Sequence, residues 1–425
     1  MSVRLIKALM PKLSPQRLLS SAALVFVLAF PALTGAQTLA RPGWAGSGMT
    51  AAPWWKRPVV YQADPRGFGG LHGLAEHVDY IHSLGVDALL LTSLSSDPKL
   101  PIDAALGTMD DFEEIVRRTS EFNIRLLVQL DAHAGDLTSA ARLWLVHGVA
   151  GFYAPGASPA QLADIKHATS GFAGQRIVIG DLASLDTPAT RGGDSPQLVT
   201  DGRAGTQDKL SASAIRPALE AAQQITDQGR STPLLVSDGA SLKRSLTRFG
   251  DGAHDEAIAK AVAAMLLTTR AASLIYYGQE LGLADGTGAI TFGEPKKGEQ
   301  PTPGTEAAGN ATGSSLLNWY RQLIALQHSN RTVTSGSITV LNHDDQNVLA
   351  WVRRPQTAAA NPPIIVVENL TGQPVTVSLK ADVQKLHLKG SFLRTVMRTD
   401  NAMGAMHLDG MTLQPYAVFI GELRY

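Results

Sequence analysis

The feature that most constrains the fold is a regular alternation of short apolar segments and helical segments between residues 59 and 283. Each apolar segment is nearly continuous, as expected for a strand buried on both faces of a parallel sheet. Between them, apolar residues recur with helical spacing. The predicted strands are 59–62, 86–92, 124–133, 149–154, 176–181, 197–200, 233–238 and 273–278. Strands alternating with helices over this length predict a closed (β/α)8 TIM barrel.

The pattern changes after residue 331, where short segments alternate between apolar and polar residues and are separated by turn residues. This pattern predicts a small antiparallel β domain, a β-sandwich, over 332–425. The Gly/Pro/Thr-rich stretch 293–314 is expected to be the least ordered interior segment. The barrel is therefore assigned to 54–331, and a short linker, 37–53, precedes it.

The N-terminus, residues 1–36, predicts export. Basic residues precede the apolar stretch 18–36, which ends in Thr34-Gly35-Ala36. This arrangement resembles a secretory signal peptide cleaved near Ala36, with a periplasmic or extracellular destination. An uncleaved membrane anchor is the alternative, because the apolar stretch is just long enough to cross a bilayer. Pro31 and the small residues after it favour cleavage.

Composition excludes several classes of function. Lys+Arg and Asp+Glu both number 37, and no basic run is present, so a nucleic-acid partner is not expected. The absence of cysteine removes disulfides, thiolate catalysis and thiolate metal sites. No cofactor and no metal site are predicted, since His72, His77 and His82 do not share a helix face.

Five segments, in order, resemble the α-amylase family of glycosidases (glycoside hydrolase family 13). YQADPRGF at 61–68 matches the family's Tyr-x-x-x-Pro-Arg-x-Phe, and 74–92 and 107–130 match its next two units. The last barrel units are matched by 244–283, and SLLNWYRQLIALQ closes the barrel as in the family. The resemblance implies a TIM barrel, a C-terminal β domain and a role in carbohydrate metabolism.

This sequence departs most from the family pattern at the position of the family's catalytic nucleophile. Retaining glycosidases use one carboxylate as nucleophile and a second carboxyl group as acid. In the family, the nucleophile is an Asp three residues after the Gly-Phe of strand 4, with an Arg between them. Here Gly151-Phe152 is followed by Tyr153 in the Arg slot and Pro155 in the Asp slot. Proline cannot attack a glycosidic carbon, so the resemblance predicts an inactive site.

The two other carboxylate slots also depart from the family. Asp181 replaces the acid Glu and is one methylene shorter, and an Asp after a strand often caps the next helix instead. Counting back from Arg244, which the family motif retains, places Ser241 in the third-carboxylate slot. Asp238 is nearby but out of register.

The strand 3 motif is shortened to Gln129-Leu130-Asp131-Ala132-His133. His133 is a candidate for the family's sugar-contacting role, while the calcium-binding Asn has no counterpart. Only 134–143 separates this motif from Trp144, so the subdomain that the family inserts here is missing. Asp131 and His133 form either a residual acid/base pair or a hydrogen-bonded turn.

The candidate substrate-binding residues share a predicted position near the C-terminal ends of the strands: Tyr61, Asp131, His133, Asp238 and Arg244. Tyr61 and Phe68 are candidates to stack on a sugar, although aromatic residues at such positions are equally often core. Glu280 matches a family position that is not a catalytic carboxylate.

Three functional hypotheses remain open. The leading one is a non-catalytic pseudo-glycosidase that binds a glucan or oligosaccharide. The second is a non-catalytic protein scaffold that binds a protein partner. It is suggested by the heavy chains of heteromeric amino-acid transporters, which share the barrel, lack the inserted subdomain and have degenerate motifs. The alternative is an active α-glucan or α-glucoside hydrolase that uses Asp181 as acid with Asp131 or Asp238 as base.

Overall fold

The computed structural model describes residues 53–97, 100–133, 135–185, 194–286, 316–357, 361–400 and 404–425. The predicted signal peptide or anchor, most of the predicted linker and the stretch 293–314 lie outside the described residues. Within the described ranges, no helix is long and apolar enough to cross a bilayer.

Eight parallel strands close into a barrel in sequential order, as predicted. They are β1 Val59–Ala63, β2 Ala88–Leu91, β3 Arg125–Gln129, β4 Gly151–Tyr153, β5 Ile177–Asp181, β6 Leu198–Asp201, β7 Thr232–Leu235 and β8 Ala272–Tyr276. The barrel closes where β1 pairs with β8, with Val60 opposite Leu274. The sixth strand had only a weak sequence signal, and the structure confirms it.

The helices lie outside the barrel or in the C-terminal region. They are α1 Leu71–Glu76, α2 Val78–Leu84, α3 Met109–Glu121, α4 Leu137–Val146, α5 Pro159–Ser170, α6 Ala212–Gln228, α7 Ser245–Phe249, α8 Asp255–Thr268, α9 Leu316–Ser329, α10 Arg331–Ser335 and α11 Lys380–Lys385. Capping boxes start α3 at Thr108 and α5 at Ser158. These side chains satisfy backbone N–H groups that the first helical turn leaves unpaired.

The segment 69–85 is helical, as its apolar spacing indicates, but it is not one continuous helix. The segment forms two short helices, α1 and α2, that meet at His77. The His77 backbone has φ −99° and ψ 9°, and its ring Nδ1 contacts the Gly73 carbonyl at 2.6 Å. A side chain that bonds to the preceding turn competes with the helical hydrogen-bond ladder at this position.

Apolar side chains fill the barrel interior, and two tryptophans lie against them at its N-terminal end. Trp54 donates through Nε1 to the Gln175 carbonyl at 3.3 Å, and the Arg125 guanidinium lies 4.4 Å from the Trp54 ring. Trp55 also packs on the interior cluster. The interior is therefore a packed core rather than a channel, as is usual in this architecture.

The C-terminal region contains a six-stranded antiparallel sheet and a two-stranded one. The strands are β9 Ser337–Leu341, β10 Val348–Arg354, β11 Ile364–Asn369, β12 Val375–Val377, β13 Phe392–Arg398, β14 Met406–His407, β15 Met411–Leu413 and β16 Val418–Arg424. One face of the larger sheet packs on the barrel, and the other packs on β12, β15 and α11. Most residues of β13 are only half buried, so this strand has no clear alternation of buried and exposed positions.

Candidate functional site

The barrel mouth, meaning the C-terminal ends of β1–β8 and the loops after them, is where a (β/α)8 enzyme would hold its reacting groups. Parallel pairing places Asp181 opposite Thr200, and Tyr153 opposite Ile179. Side chains alternate along strands, so Ile177, Ile179 and Asp181 share one face of β5, and the two isoleucines belong to the interior cluster. The Asp181 carboxylate therefore extends from the barrel interior at its mouth.

A tight turn follows β4 in the nucleophile slot. The Ala157 N–H donates to the Ala154 carbonyl at 3.3 Å, which closes a four-residue turn. Pro155 occupies the second position, and Gly156 occupies the third with φ +70°. This residue pattern is that of a type II turn, in which the third residue needs a positive φ. Pro155 therefore serves the backbone geometry at a position where the resemblance predicts a nucleophile.

Three donors converge on the carboxylate of Asp181. The Gly156 N–H donates to Oδ2 at 2.6 Å, and the hydroxyl groups of Tyr153 and Thr200 donate to Oδ1 at 3.2 and 2.9 Å. Burial raises the pKa of Tyr153, and the charge of Asp181 adds to this rise. The phenol therefore stays a hydrogen-bond donor. Both Asp181 oxygens are engaged in bracing β4, β5 and β6.

The carboxylate of Asp181 therefore does not cap the following helix, contrary to the expectation for an Asp that follows a strand. Its carboxylate bonds across the barrel mouth, while its backbone carbonyl accepts the Ser184 hydroxyl at 2.6 Å. A carboxylate with three donors from the chain itself is poorly placed to protonate a leaving oxygen, since that role needs an available proton and an open approach.

Asp238 and Ser241 lie on the segment between β7 and α7. Asp238 is buried, and its Oδ1 accepts the Ser245 backbone N–H at 2.9 Å. Burial raises the pKa of this carboxyl, and the nearby Tyr320 of α9 has a pKa raised by burial and by the Asp238 charge. Ser241 is exposed in the 239–242 turn, which the Leu242 N–H closes onto the Gly239 carbonyl at 3.1 Å.

Arg244 is buried at the mouth, where it contacts two aromatic rings. Its guanidinium lies 4.8 Å from the ring of Tyr276 and 5.2 Å from that of Tyr277, and Nη1 donates to the Tyr277 carbonyl at 2.9 Å. Its backbone N–H donates to both Asp285 oxygens at 3.2 Å. Arg244 thus ties the β7 and β8 loops together.

Tyr61 lies in the layer between β1 and α2, not on an open surface of the mouth. Its ring is fully buried, and its hydroxyl donates to Glu280 Oε1 at 2.7 Å. The Tyr80 hydroxyl donates to the same oxygen at 2.7 Å. Burial raises the pKa of Glu280. Because the Tyr61 ring has no exposed face, it cannot stack on a sugar in this arrangement.

Asp131 and His133 are both exposed on the loop after β3. The His133 backbone N–H donates to Asp131 Oδ1 at 2.9 Å, which is an Asx turn. Of the two alternatives for Asp131 and His133, a residual acid/base pair or a hydrogen-bonded turn, the contact is that of the turn. Among the described residues, no three His, Cys, Asp or Glu side chains are grouped so that they could hold a metal ion.

Two Asp-x-Arg pairs at the mouth were missed by the sequence reasoning. Asp64 accepts from the Arg66 backbone N–H and Nε at 3.0 Å and from Nη2 at 2.7 Å. Asp201 accepts from the same three atoms of Arg203 at 3.1, 2.9 and 2.7 Å. The signal was available as DPR directly after β1 and as DGR, which begins at the last residue of β6. Each described Asp at or just after a barrel strand end therefore accepts hydrogen bonds from the chain itself: Asp64, Asp131, Asp181, Asp201 and Asp238.

Comparison with known proteins gives consistent results. Residues 59–144 match the family model described as alpha amylase, catalytic domain. Trehalose-6-phosphate hydrolase of Escherichia coli (strain K12) is 36% identical over 101 residues, which are 19% of this chain and 18% of that protein. The matched segments cover about a fifth of the length of the first curated relatives.

Two longer similarities have lower identity. An amino acid transporter heavy chain of Oryctolagus cuniculus is 22% identical over 350 residues, which are 71% of this chain and 64% of that protein. The isomaltulose synthase of Erwinia rhapontici NX5, solved in complex with its natural substrate sucrose, superposes with a TM-score of 0.71 at 18% identity. That similarity covers 88% of this chain and 100% of the synthase, and it shows a shared fold.

Proposed function

Because this chain belongs to the α-amylase family, we propose that it binds α-linked glucose oligosaccharides without hydrolysing them. The observation that carries the proposal is the Asp181 carboxylate, which is held by Tyr153, Gly156 and Thr200. A two-carboxylate mechanism needs one group to attack or activate water and another to donate a proton. Pro155 supplies neither, and Asp181 is committed to three internal donors.

Saccharide binding is supported by the family and by its solved members. The isomaltulose synthase that shares this fold was solved with sucrose. A barrel that keeps its architecture while its reacting groups change can still present polar side chains to a sugar.

An active hydrolase is the alternative, with Asp181 as acid and Asp131 or Asp238 as base. The contacts of those two residues disfavour it. Asp131 is exposed and held by the His133 N–H, and Asp238 is buried against the Ser245 N–H. Burial closes Asp238 off from the water molecule that an inverting mechanism needs, and Oδ1 of Asp131 is occupied by a turn on the exposed loop after β3.

A protein scaffold is a second candidate, favoured by one observation. The similarity to the amino acid transporter heavy chain extends over 71% of this chain, whereas that to the E. coli hydrolase covers 19%. In this role, the barrel would bind a protein partner in place of a glucan.

Export to the periplasm or outside the cell is the proposed location, on the basis of the basic and apolar residues of 1–36. N-terminal sequencing of the protein purified from its native host tests it. A chain that starts near Gln37 supports cleavage, and an intact Met1 supports a membrane anchor.

The functional test uses maltoheptaose and the full chain. We expect calorimetry to detect binding and chromatography to detect no shorter products after prolonged incubation. Turnover that Asp181→Asn abolishes would establish the hydrolase instead. Absence of binding to any α-glucan would favour the protein scaffold.

A further inference from the structure

A cleft of about 330 Å³ lies away from the barrel mouth, where the start of α8 meets the C-terminal domain. Small apolar side chains line part of it: Ala253, Ala257, Pro415 and Ala417. Polar side chains line the rest from both domains: His254, Glu256, Lys260, Thr399, Asp400 and Gln414. Its volume is at the lower end of the range for ligand pockets, which suits one or two sugar rings.

Opposite charges are paired around this cleft. The Lys260 ammonium is 2.6 Å from Glu256 Oε1, and Asp400 Oδ2 accepts from Arg398 Nη2 at 2.9 Å. Each charged side chain of the lining is therefore paired, Asp400 with an arginine just outside the lining, which disfavours an anionic or cationic ligand. It offers donors and acceptors side by side, and hydroxyl groups satisfy both kinds of partner at once.

An unusual backbone conformation lies at the edge of the cleft. The Ala417 N–H donates to the Gln414 carbonyl at 3.0 Å, so 414–417 form a turn with Pro415 second and Tyr416 third. The φ of Tyr416 is +50°, a value that a bulky residue rarely adopts. The related turn after β4 has Gly156 in the third position, where no strain arises.

Strained backbone conformations cluster at active sites and ligand-binding sites. The Tyr416 ring lies 5.5 Å from the ring of His254, which lines the cleft. His254 is itself fixed by its Nδ1 contact to Asp251 Oδ2 at 2.7 Å. The strained turn thus holds the Tyr416 ring beside a polar cleft whose charged side chains are paired.

We propose that this junction cleft is the site at which the protein binds a neutral oligosaccharide, with Tyr416 against a sugar face and Gln414 and Thr399 on its hydroxyl groups. This proposal rests on the saccharide-binding function proposed above and names a site for it outside the barrel mouth. Maltotriose is the probe, because it is neutral and small.

The test measures maltotriose binding by calorimetry for the full chain and four variants. Tyr416→Gly removes the ring and relieves the backbone strain, and Gln414→Ala removes an exposed amide. Tyr416→Phe keeps the ring. His133→Ala is the control at the barrel mouth, since it removes an exposed candidate sugar contact there. Thermal melting of each variant checks folding.

We expect Tyr416→Gly and Gln414→Ala each to weaken binding about tenfold or more, with Tyr416→Phe and His133→Ala close to wild type. Binding that His133→Ala weakens and the two cleft variants leave intact would overturn the cleft as the site and leave the proposed function standing. A wild-type chain that binds no maltotriose or longer glucan would instead overturn the saccharide-binding function itself.

Discussion

The backbone N–H of Gly156 lies 2.6 Å from Oδ2 of Asp181, so the turn that replaces a nucleophile also holds the residue in the acid position. One arrangement thus accounts for two departures from the family pattern. Pro155 and Gly156 favour the turn, and the turn directs an N–H group at the carboxylate. The first two predictions test this arrangement, and the next two test the buried side chains of Arg244 and Glu368.

The conformation of Gly156 gives the first prediction. A Cβ at Gly156 would meet nothing within 4 Å, but its φ of +70° disfavours any other residue. We expect Gly156→Ala to lower the free energy of unfolding by about 1 kcal/mol, measured by urea denaturation. Gly171→Ala is the matched control, because Gly171 is equally open but has φ −79°. Equal effects of the two substitutions would argue against strain at the turn.

The Asp181 network gives the second prediction. Asp181→Ala leaves Tyr153, Thr200 and the Gly156 N–H without their acceptor. We expect a loss of about 2 kcal/mol in the free energy of unfolding, since donors left unpaired cost more than the net gain from one hydrogen bond.

The control for that change is Asp131→Ala, which removes one hydrogen bond at an exposed site and should change stability by less than about 0.5 kcal/mol. If Asp181→Ala were as mild as this control, Asp181 would not be a structural brace, and its role as an acid would have to be reconsidered.

Arg244 gives the third prediction. Arg244→Lys loses the planar group over Tyr276 and the fixed bond to the Tyr277 carbonyl, which a lysine cannot reproduce together. We expect the free energy of unfolding to fall by about 1 kcal/mol, while the affinity for maltotriose stays unchanged. Arg230→Lys, at an exposed position, is the control for stability. A weakened affinity with unchanged stability would identify Arg244 as a ligand contact.

Glu368 gives the fourth prediction, which concerns pH. The side chain is fully buried in β11, and burial raises the pKa of its carboxyl well above its usual value. The folded chain therefore holds a proton that the unfolded chain releases above its ordinary pKa of about 4.3. Stability then falls as pH rises from there toward the raised pKa, by up to about 1.4 kcal/mol per pH unit.

Glu368→Gln removes the titrating group, so the free energy of unfolding of this variant should depend less on pH than that of wild type. The variant should become increasingly more stable than wild type between about pH 5 and pH 8. Unfolding by urea at a series of pH values measures it. Glu76→Gln, at an exposed position, is the control. Parallel stability curves for wild type and Glu368→Gln would contradict the account of this side chain.

Much of the fold could be predicted from the sequence because its signals are local. Continuous apolar runs located all eight barrel strands, and the run at 197–200 was recognised partly because eight strands were needed. The break at His77 depends on a side-chain bond to Gly73, which apolar spacing does not encode. The strand Phe392–Arg398 carries little sequence signal, because most of its residues are only half buried.

The candidate site was harder to predict because its contacts join distant parts of the chain. The motif slots identified Pro155 and Asp181, but the partners Tyr153 and Thr200 come from β4 and β6. Their approach depends on the register that places Asp181 opposite Thr200 when the barrel closes. Similarly, the buried Tyr61 hydroxyl donates to Glu280, which is far along the chain.

Fluoride release from α-maltosyl fluoride tests most directly whether the barrel mouth lacks a working catalytic carboxylate. Fluoride leaves without protonation, so this substrate bypasses the acid and reports on the nucleophile or base alone. We expect the full chain to release fluoride at the rate of buffer alone. Catalysed release by wild type that Asp131→Asn or Asp238→Asn abolishes would contradict this expectation, because it would place a working base or nucleophile at the barrel mouth.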